Sequence, residues 1–145
     1  MSKPIVLFLC THNAARSQMA AALLKRKAAA HFDVYSAGSA PTDSIHPLTV
    51  RVMQEVGIDL SGERPKALAD YLGLLPVKVA ISVCARAEDK CPTAWPGTLS
   101  QLEWVVEDPT AAEGDEAERL AKFRSVRDQI DAKLSNWLND LTPQA

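Results

Sequence analysis

Hydrophobic positions fall along this chain in two alternating rhythms. Short apolar runs, unbroken or alternating, predict β-strands over residues 4–9, 32–36, 77–83 and 102–106. The first run is apolar throughout, as expected of a strand covered on both faces in a parallel sheet. Between the runs, apolar residues recur three or four positions apart, which predicts helices. Over 16–29, Met19, Leu23 and Leu24 with nearby alanines make the apolar side. Lys25, Arg26 and Lys27 gather near its C-terminal end, where the helix dipole favours cations. Pro47, a good first helical residue, opens a helix through Leu48, Val52, Met53 and Val56, and Gly57 stops it. A short helix over Lys66–Leu75 is ended by Pro76. A long one over 115–140 carries the stripe Leu120, Phe123, Ile130, Leu134, Trp137 and Leu138, which Leu141 continues.

Strands that alternate with helices define an α/β class: a four-stranded parallel sheet with helices on both faces. At 145 residues the chain suits one domain, spanning 1–145, with no linker, repeat or low-complexity segment. The formal net charge of −2 points away from nucleic acid and from an acidic membrane surface. The first apolar run is too short to span a membrane and carries no cleavage-site pattern, so a cytoplasmic location is expected. Three cysteines do not make a secreted disulfide framework. No cluster of Cys and His has zinc-ligand spacing, so neither metal nor cofactor is expected.

The chemistry gathers at Cys10-Thr11-His12-Asn13-Ala14-Ala15-Arg16-Ser17, between the first strand and the first helix. A cysteine ends a strand, five residues form a loop, and an arginine opens a helix. Loop amides can turn inward around a tetrahedral anion, and the helix N-terminus adds partial positive charge. Arg16 offers a planar fork to two anion oxygens. The same surroundings favour the thiolate of Cys10, the nucleophilic form, and Ser17 can donate its hydroxyl to it. Asn13 is read either as fixing the loop through its short amide or as tolerating an unusual backbone angle. His12 is read as an outward-facing loop residue, His46 as a helix-entry residue, and Trp95 and Trp104 as packing residues.

Cys10, Cys84 and Asp108 each follow a predicted strand, so in a parallel sheet all three reach one edge, where ligands bind. Asp108, before Pro109, offers a carboxyl group for general acid or base work. Cys84 and Cys91 are either a core cysteine with an unrelated loop cysteine, or a redox pair. On a helix, positions i and i+7 are about 10.5 Å apart along the axis, whereas a disulfide needs Cα atoms within roughly 7 Å. Pairing would therefore require the charged segment between them to loop.

These residues resemble the low-molecular-weight protein tyrosine phosphatase superfamily, and within it the arsenate reductases of phosphatase-like fold. Cys10 to Ser17 matches the Cys-x5-Arg-Ser loop, Gln18-Met19-Ala20 continues the reductase version of the helix, Tyr35-Ser36-Ala37-Gly38 is similar to the end of the second strand, and Asp108-Pro109 matches the acid loop. The Cys84-x6-Cys91 pair resembles the redox pair of thioredoxin-coupled members. The resemblance implies that Cys10 attacks arsenate held by the loop amides and Arg16, that Asp108 manages the leaving oxygen's proton, and that Cys84 and Cys91 complete a disulfide relay restored by thioredoxin. Phosphate or sulfate would bind as analogues, and a monomer is expected. Other relatives use glutaredoxin with glutathione, or mycothiol. Phosphatase activity through Cys10, Arg16 and Asp108 is the rival reading, against which stands Thr110, where true tyrosine phosphatases usually carry tyrosine. Many thioredoxin-coupled relatives also carry glutamate after Gln-Met-Ala, part of a potassium site in some of them; here Ala21 stands there.

Overall fold

Four parallel strands carry the architecture in the computed structural model, which describes residues 3–86 and 88–141. Met1, Ser2, Ala87 and 142–145, part of the expected 1–145 unit, lie outside the described residues. The elements run β1 (Ile5–Cys10), α1 (Arg16–Ala28), β2 (Asp33–Gly38), α2 (Pro47–Gln54), β3 (Val77–Cys84), β4 (Ser100–Val105) and α3 (Glu116–Leu141), with 3-10 turns at Leu68–Asp70 and Pro109–Ala111. The strand order is β2-β1-β3-β4. Chain progression therefore reverses between β1 and β3, and the segments that follow these two neighbours leave in opposite directions. A crevice opens at their C-terminal ends, the usual ligand position in such sheets.

The pleat divides the core in two, because successive strand residues point to opposite faces. On one face, Val6 and Phe8 of β1 and Ile81 and Val83 of β3 meet Met19, Leu23 and Leu24 of α1, Val52 and Met53 of α2, and Phe123, Val126, Ile130 and Leu134 of α3. The opposite face is thinner. Leu7, Leu9, Ala37, Val77 and Ala80 are closed over by Trp95, with Leu68, Tyr71 and Leu75 alongside. Helical cover on this side is the single turn at Leu68–Asp70. Strand β4 is an edge, with Gln101, Glu103 and Val105 exposed on alternate positions. Among the described residues no helix is long and apolar enough to cross a membrane.

The expected strands and the three longer helices appear within a few residues of their predicted bounds. The expected helix over Lys66–Leu75 is corrected. Only Leu68–Asp70 is helical, of the tight 3-10 kind, and turns follow it. Gly73 takes φ 79°, a left-handed conformation that ends helical propagation. Pro65 and Pro76 bracket the segment, and with Gly73 inside it the chain turns before a regular α-helix can extend. The Leu68 carbonyl accepts from both Tyr71 and Leu72, and the Tyr71 carbonyl from both Leu74 and Leu75, so the segment closes as two successive tight turns. The tight turns still carry Leu68, Tyr71 and Leu75 onto the sheet.

Candidate active site

The loop between β1 and α1 is built from buried polar groups. Asn13 and Ser17 are fully buried, and Arg16 is 2% exposed. Such groups persist in a core only when hydrogen-bonded, and these form one network. The backbone N–H of Lys66 donates to Asn13 Oδ1 at 2.8 Å, which fixes the orientation of that amide. Gln18 Nε2 donates to the same oxygen and to the Arg64 carbonyl, each at 3.0 Å. Asn13 Nδ2 must then face Ser17, and donates to its Oγ at 2.6 Å. The Ser17 hydroxyl stands 2.8 Å from Cys10 Sγ, placed to donate its proton to a thiolate there. Asn13 N–H donates to the same sulfur at 3.2 Å. Two donors aimed at Cys10 Sγ arrange it as an acceptor.

Asn13 has φ 53°, so it both fixes the loop and takes the unusual backbone angle. Gly38, which pairs with Cys10 across β1 and β2, lets the loop come close. A Cβ there would stand 2.5 Å from the Thr11 carbonyl oxygen and 3.0 Å from the Asn13 nitrogen. Helix α1 begins without a side-chain cap, since Ala15 at its N-cap has no polar group to offer. His12 is exposed, as its outward reading expects. His46 enters α2 as its N-cap, Nδ1 accepting from Leu48 N–H at 3.1 Å. Trp95 is buried under the sheet, and Trp104 packs between Phe8 and Trp137.

Arg16 lies between several acceptors. Its Nη1 donates to the Val106 carbonyl at 3.1 Å, and its Nη2 is 3.7 Å from Asp108 Oδ2. Asp108 caps the turn at Pro109–Ala111: Oδ1 accepts from the Thr110 amide at 2.9 Å and its hydroxyl at 2.7 Å. Cys10, Arg16, Asp108 and Thr110 line one small cleft. Cys84 ends β3, beside β1. The Leu9–Ser82 pairing puts Cys10 one residue and Cys84 two residues further along, at the same sheet edge. A disulfide joins Cys84 to Cys91, with Cα atoms 6.1 Å apart, so the intervening segment is looped. Cys10 is the free cysteine.

Sequence reasoning missed Glu88, which lies between the paired cysteines. Its carboxylate accepts from Arg16 Nη1 at 2.6 Å and Nη2 at 3.0 Å, from Ala85 N–H at 3.0 Å, and from the Thr11 hydroxyl. Burial works against the charged carboxylate, but the hydrogen bonds from Arg16, Thr11 and Ala85 outweigh it and push its pKa down to about 2. Burial likewise works against the Arg16 guanidinium. Its bond to Glu88 and the negative groups at Cys10, Asp108 and Glu88 reverse that, and hold it more firmly protonated than a free guanidinium. The available signal was only an acid within a charged segment flanked by two cysteines, with nothing to say that the segment folds back over the loop.

The fold and the loop together define an α/β enzyme of the phosphatase-like class, with a cysteine at the end of its first strand. The family model described as low molecular weight phosphotyrosine protein phosphatase matches residues 5–145. An arsenate reductase of Shouchella clausii is 38% identical over 94% of this chain and 96% of its own length. A solved structure titled an arsenate reductase in the phosphate binding state superposes with TM-score 0.79 at 29% identity, covering 96% of this chain and 99% of that one. A thioredoxin-dependent arsenate reductase of Corynebacterium glutamicum gives TM-score 0.68 at 30% identity, covering 95% of this chain and 61% of its own. The chain belongs to the low-molecular-weight phosphotyrosine protein phosphatase family.

Proposed function

We propose that this enzyme reduces arsenate to arsenite through a relay of its three cysteines. One observation carries the reading: a Cys84–Cys91 disulfide at the sheet edge that also holds Cys10, Arg16 and Asp108. A hydrolytic phosphatase needs the last three groups and has no use for the disulfide. Similarity to proteins named arsenate reductase over nearly the whole chain supports the same choice.

Arsenate enters between the loop amides and the Arg16 fork. The Cys10 thiolate attacks arsenic, and an arsenate oxygen leaves with a proton from Asp108. Cys84 thiolate then attacks Cys10 Sγ. An S–S bond forms, the S–As bond breaks, and its electron pair stays on arsenic, which departs as arsenite. Cys91 thiolate attacks Cys84 Sγ and releases Cys10 as thiolate, leaving the disulfide between Cys84 and Cys91. An external dithiol then reduces that bond. Cys84 is buried and Cys91 half-buried, beside a groove of about 260 Å3 that reaches the edge strand β4. Attack on Cys91 is thus the less hindered course. Thioredoxin is the proposed reductant, which the similarity to a thioredoxin-dependent reductase supports.

The test is arsenate-dependent NADPH consumption with thioredoxin and thioredoxin reductase, wild type against Cys91→Ser. Steady turnover should fall at least about 100-fold in the variant, to little more than one turnover per chain. Turnover that survives the substitution sinks the relay. Activity only with glutathione and glutaredoxin, or with mycothiol, overturns the choice of thioredoxin. A chain inactive on arsenate with every reductant, yet active on an aryl phosphate, is a phosphatase, the reading to which the family description lends weight.

A further inference from the structure

We propose that Glu88 is an intramolecular ligand of the oxyanion site, seated there in the disulfide form and withdrawn in the dithiol form, so that oxyanion binding follows the redox state of Cys84 and Cys91. The inference rests on the relay reading and adds to it a gate that the chemistry itself does not require.

The Glu88 carboxylate occupies the donors that an incoming oxyanion needs. It takes both terminal nitrogens of the Arg16 fork, at 2.6 and 3.0 Å, and the hydroxyl of Thr11, the first residue of the loop. Two carboxylate oxygens engage a guanidinium as two oxygens of a tetrahedral oxyanion would. Asp108 already stands 3.7 Å from the same guanidinium. A dianionic substrate cannot share the fork with both carboxylates, so it must displace Glu88.

The tie to the redox state is geometric. Glu88 is four residues from Cys84 and three from Cys91, so the disulfide ring carries it at its tip. The Cα atoms of the two cysteines are 6.1 Å apart, against about 10.5 Å for the same spacing along a helix. The ring is also anchored to the sheet. Ser39 donates to the Lys90 carbonyl, Ser82 donates to the Pro92 carbonyl, and Glu88 Oε1 accepts from Ala85 N–H. Opening the disulfide removes the covalent part of this constraint and leaves the tip held by hydrogen bonds alone, against which a free oxyanion can compete. A tethered carboxylate competes at an effective concentration on the order of millimolar or more, and a free oxyanion has no such advantage. The hydrogen bonds from Arg16, Thr11 and Ala85 favour the charged carboxylate over its burial cost, so Glu88 sits in the fork as an anion.

In the catalytic cycle the gate would close as the disulfide reaches Cys84 and Cys91. Arsenite has then gone, and Cys10 has been released as a thiolate under an empty fork. Glu88 fills the fork and keeps a fresh oxyanion from an enzyme that has no electrons to give it. Reduction by the external dithiol reopens the site.

The test titrates inorganic phosphate into the full chain by calorimetry, in the disulfide and dithiol forms, for wild type and Glu88→Gln. Free-thiol counts certify the forms, one for the disulfide form and three for the dithiol. Wild type should bind phosphate at least about tenfold more weakly when oxidised. Glu88→Gln should bring the two forms within about twofold, by strengthening the oxidised one. Equal affinities in wild type, or a ratio that Glu88→Gln leaves unchanged, overturn the gate while the disulfide and the relay stand. A chain that keeps three free thiols under oxidant overturns the relay and the gate together.

Discussion

Asn13 shows how one side chain can set the geometry of a loop. Its Oδ1 takes a backbone N–H from Lys66 and an amide N–H from Gln18, its Nδ2 reaches Ser17, and its own N–H reaches Cys10. Asn13→Ala removes three side-chain hydrogen bonds and puts alanine in a left-handed conformation. We expect a loss of about 2–4 kcal/mol in urea unfolding, and kcat/KM on arsenate down roughly 10- to 100-fold as Ser17 loses its orientation. Full activity in the variant would show that Ser17 is held by the fold without it. Asn13 was legible in the sequence because it stands in a recognisable loop beside Cys10, Ser17 and Gln18, although Lys66 reaches it from a distant segment. Glu88 was not, because it meets Arg16 across 72 residues through a segment whose shape depends on a covalent bond.

Among the elements, α2 depends on a titratable cap. His46 accepts Leu48 N–H through Nδ1, so the capping form is the neutral ring. Burial, and then the charge of Arg119, hold its pKa below the ordinary 6.5, with Asp108 pulling the other way. The unfolded chain therefore binds this proton first as pH falls. The cap's contribution, on the order of 1 kcal/mol, is complete above about 6.5 and is lost as pH drops below that value toward the folded-state pKa. His46→Asn, which keeps a capping side chain without a proton to gain, should flatten this part of the stability–pH curve below pH 6.5. An unchanged slope would assign it to other groups. The close approach at Gly38 is the second test at this scale. Gly38→Ala would drive a Cβ against the backbone oxygen of Thr11, so a loss of roughly 1–3 kcal/mol is expected in urea unfolding. Most element bounds were legible because their periodicity is long and strong. The segment 66–75 was not: Leu68, Tyr71 and Leu75 keep a helix-like spacing, and prolines and a left-handed glycine decide the backbone.

At the scale of the whole molecule, the sheet is unevenly covered, by three α-helices on one face and by a turn and Trp95 on the other. The parallel order and the gathering of Cys10, Cys84 and Asp108 at one edge follow from strands that alternate with helices, which is why they could be read early. The imbalance arises in the connection from β3 to β4, whose described residues carry no helix, as its irregular, proline-containing sequence over 84–98 predicts; what the sequence did not show is that Trp95 folds back to close that face. An oxyanion at this edge joins β1, α1 and the turn after β4, so binding should stabilise the chain as a unit. Phosphate at about 100 times its dissociation constant adds about 2.7 kcal/mol. That should raise the melting temperature of the dithiol form by roughly 5–10 °C. Arg16→Lys, which keeps the charge and loses the fork, should reduce most of that shift; an undiminished shift would place the anion elsewhere.

The backbone of Cys84 is the last rung of β3, paired with Val105, and its carbonyl accepts from Val106 N–H at 2.8 Å. The carbonyl of the same Val106 receives Arg16. One residue thus clamps both Cys84 and Arg16. Cys91 lies in irregular chain, where side-chain donors hold the residues on either side of it, Ser39 to the Lys90 carbonyl and Ser82 to the Pro92 carbonyl. In electrical terms, the proposed relay would have Cys84 as its stationary contact, fixed in the last rung of β3, and Cys91 as the contact carried on a loop. In the proposed relay the loop from 85 to 91 sets the reach between the two, so lengthening or shortening it would change the rate of thiol exchange while leaving both cysteines in place.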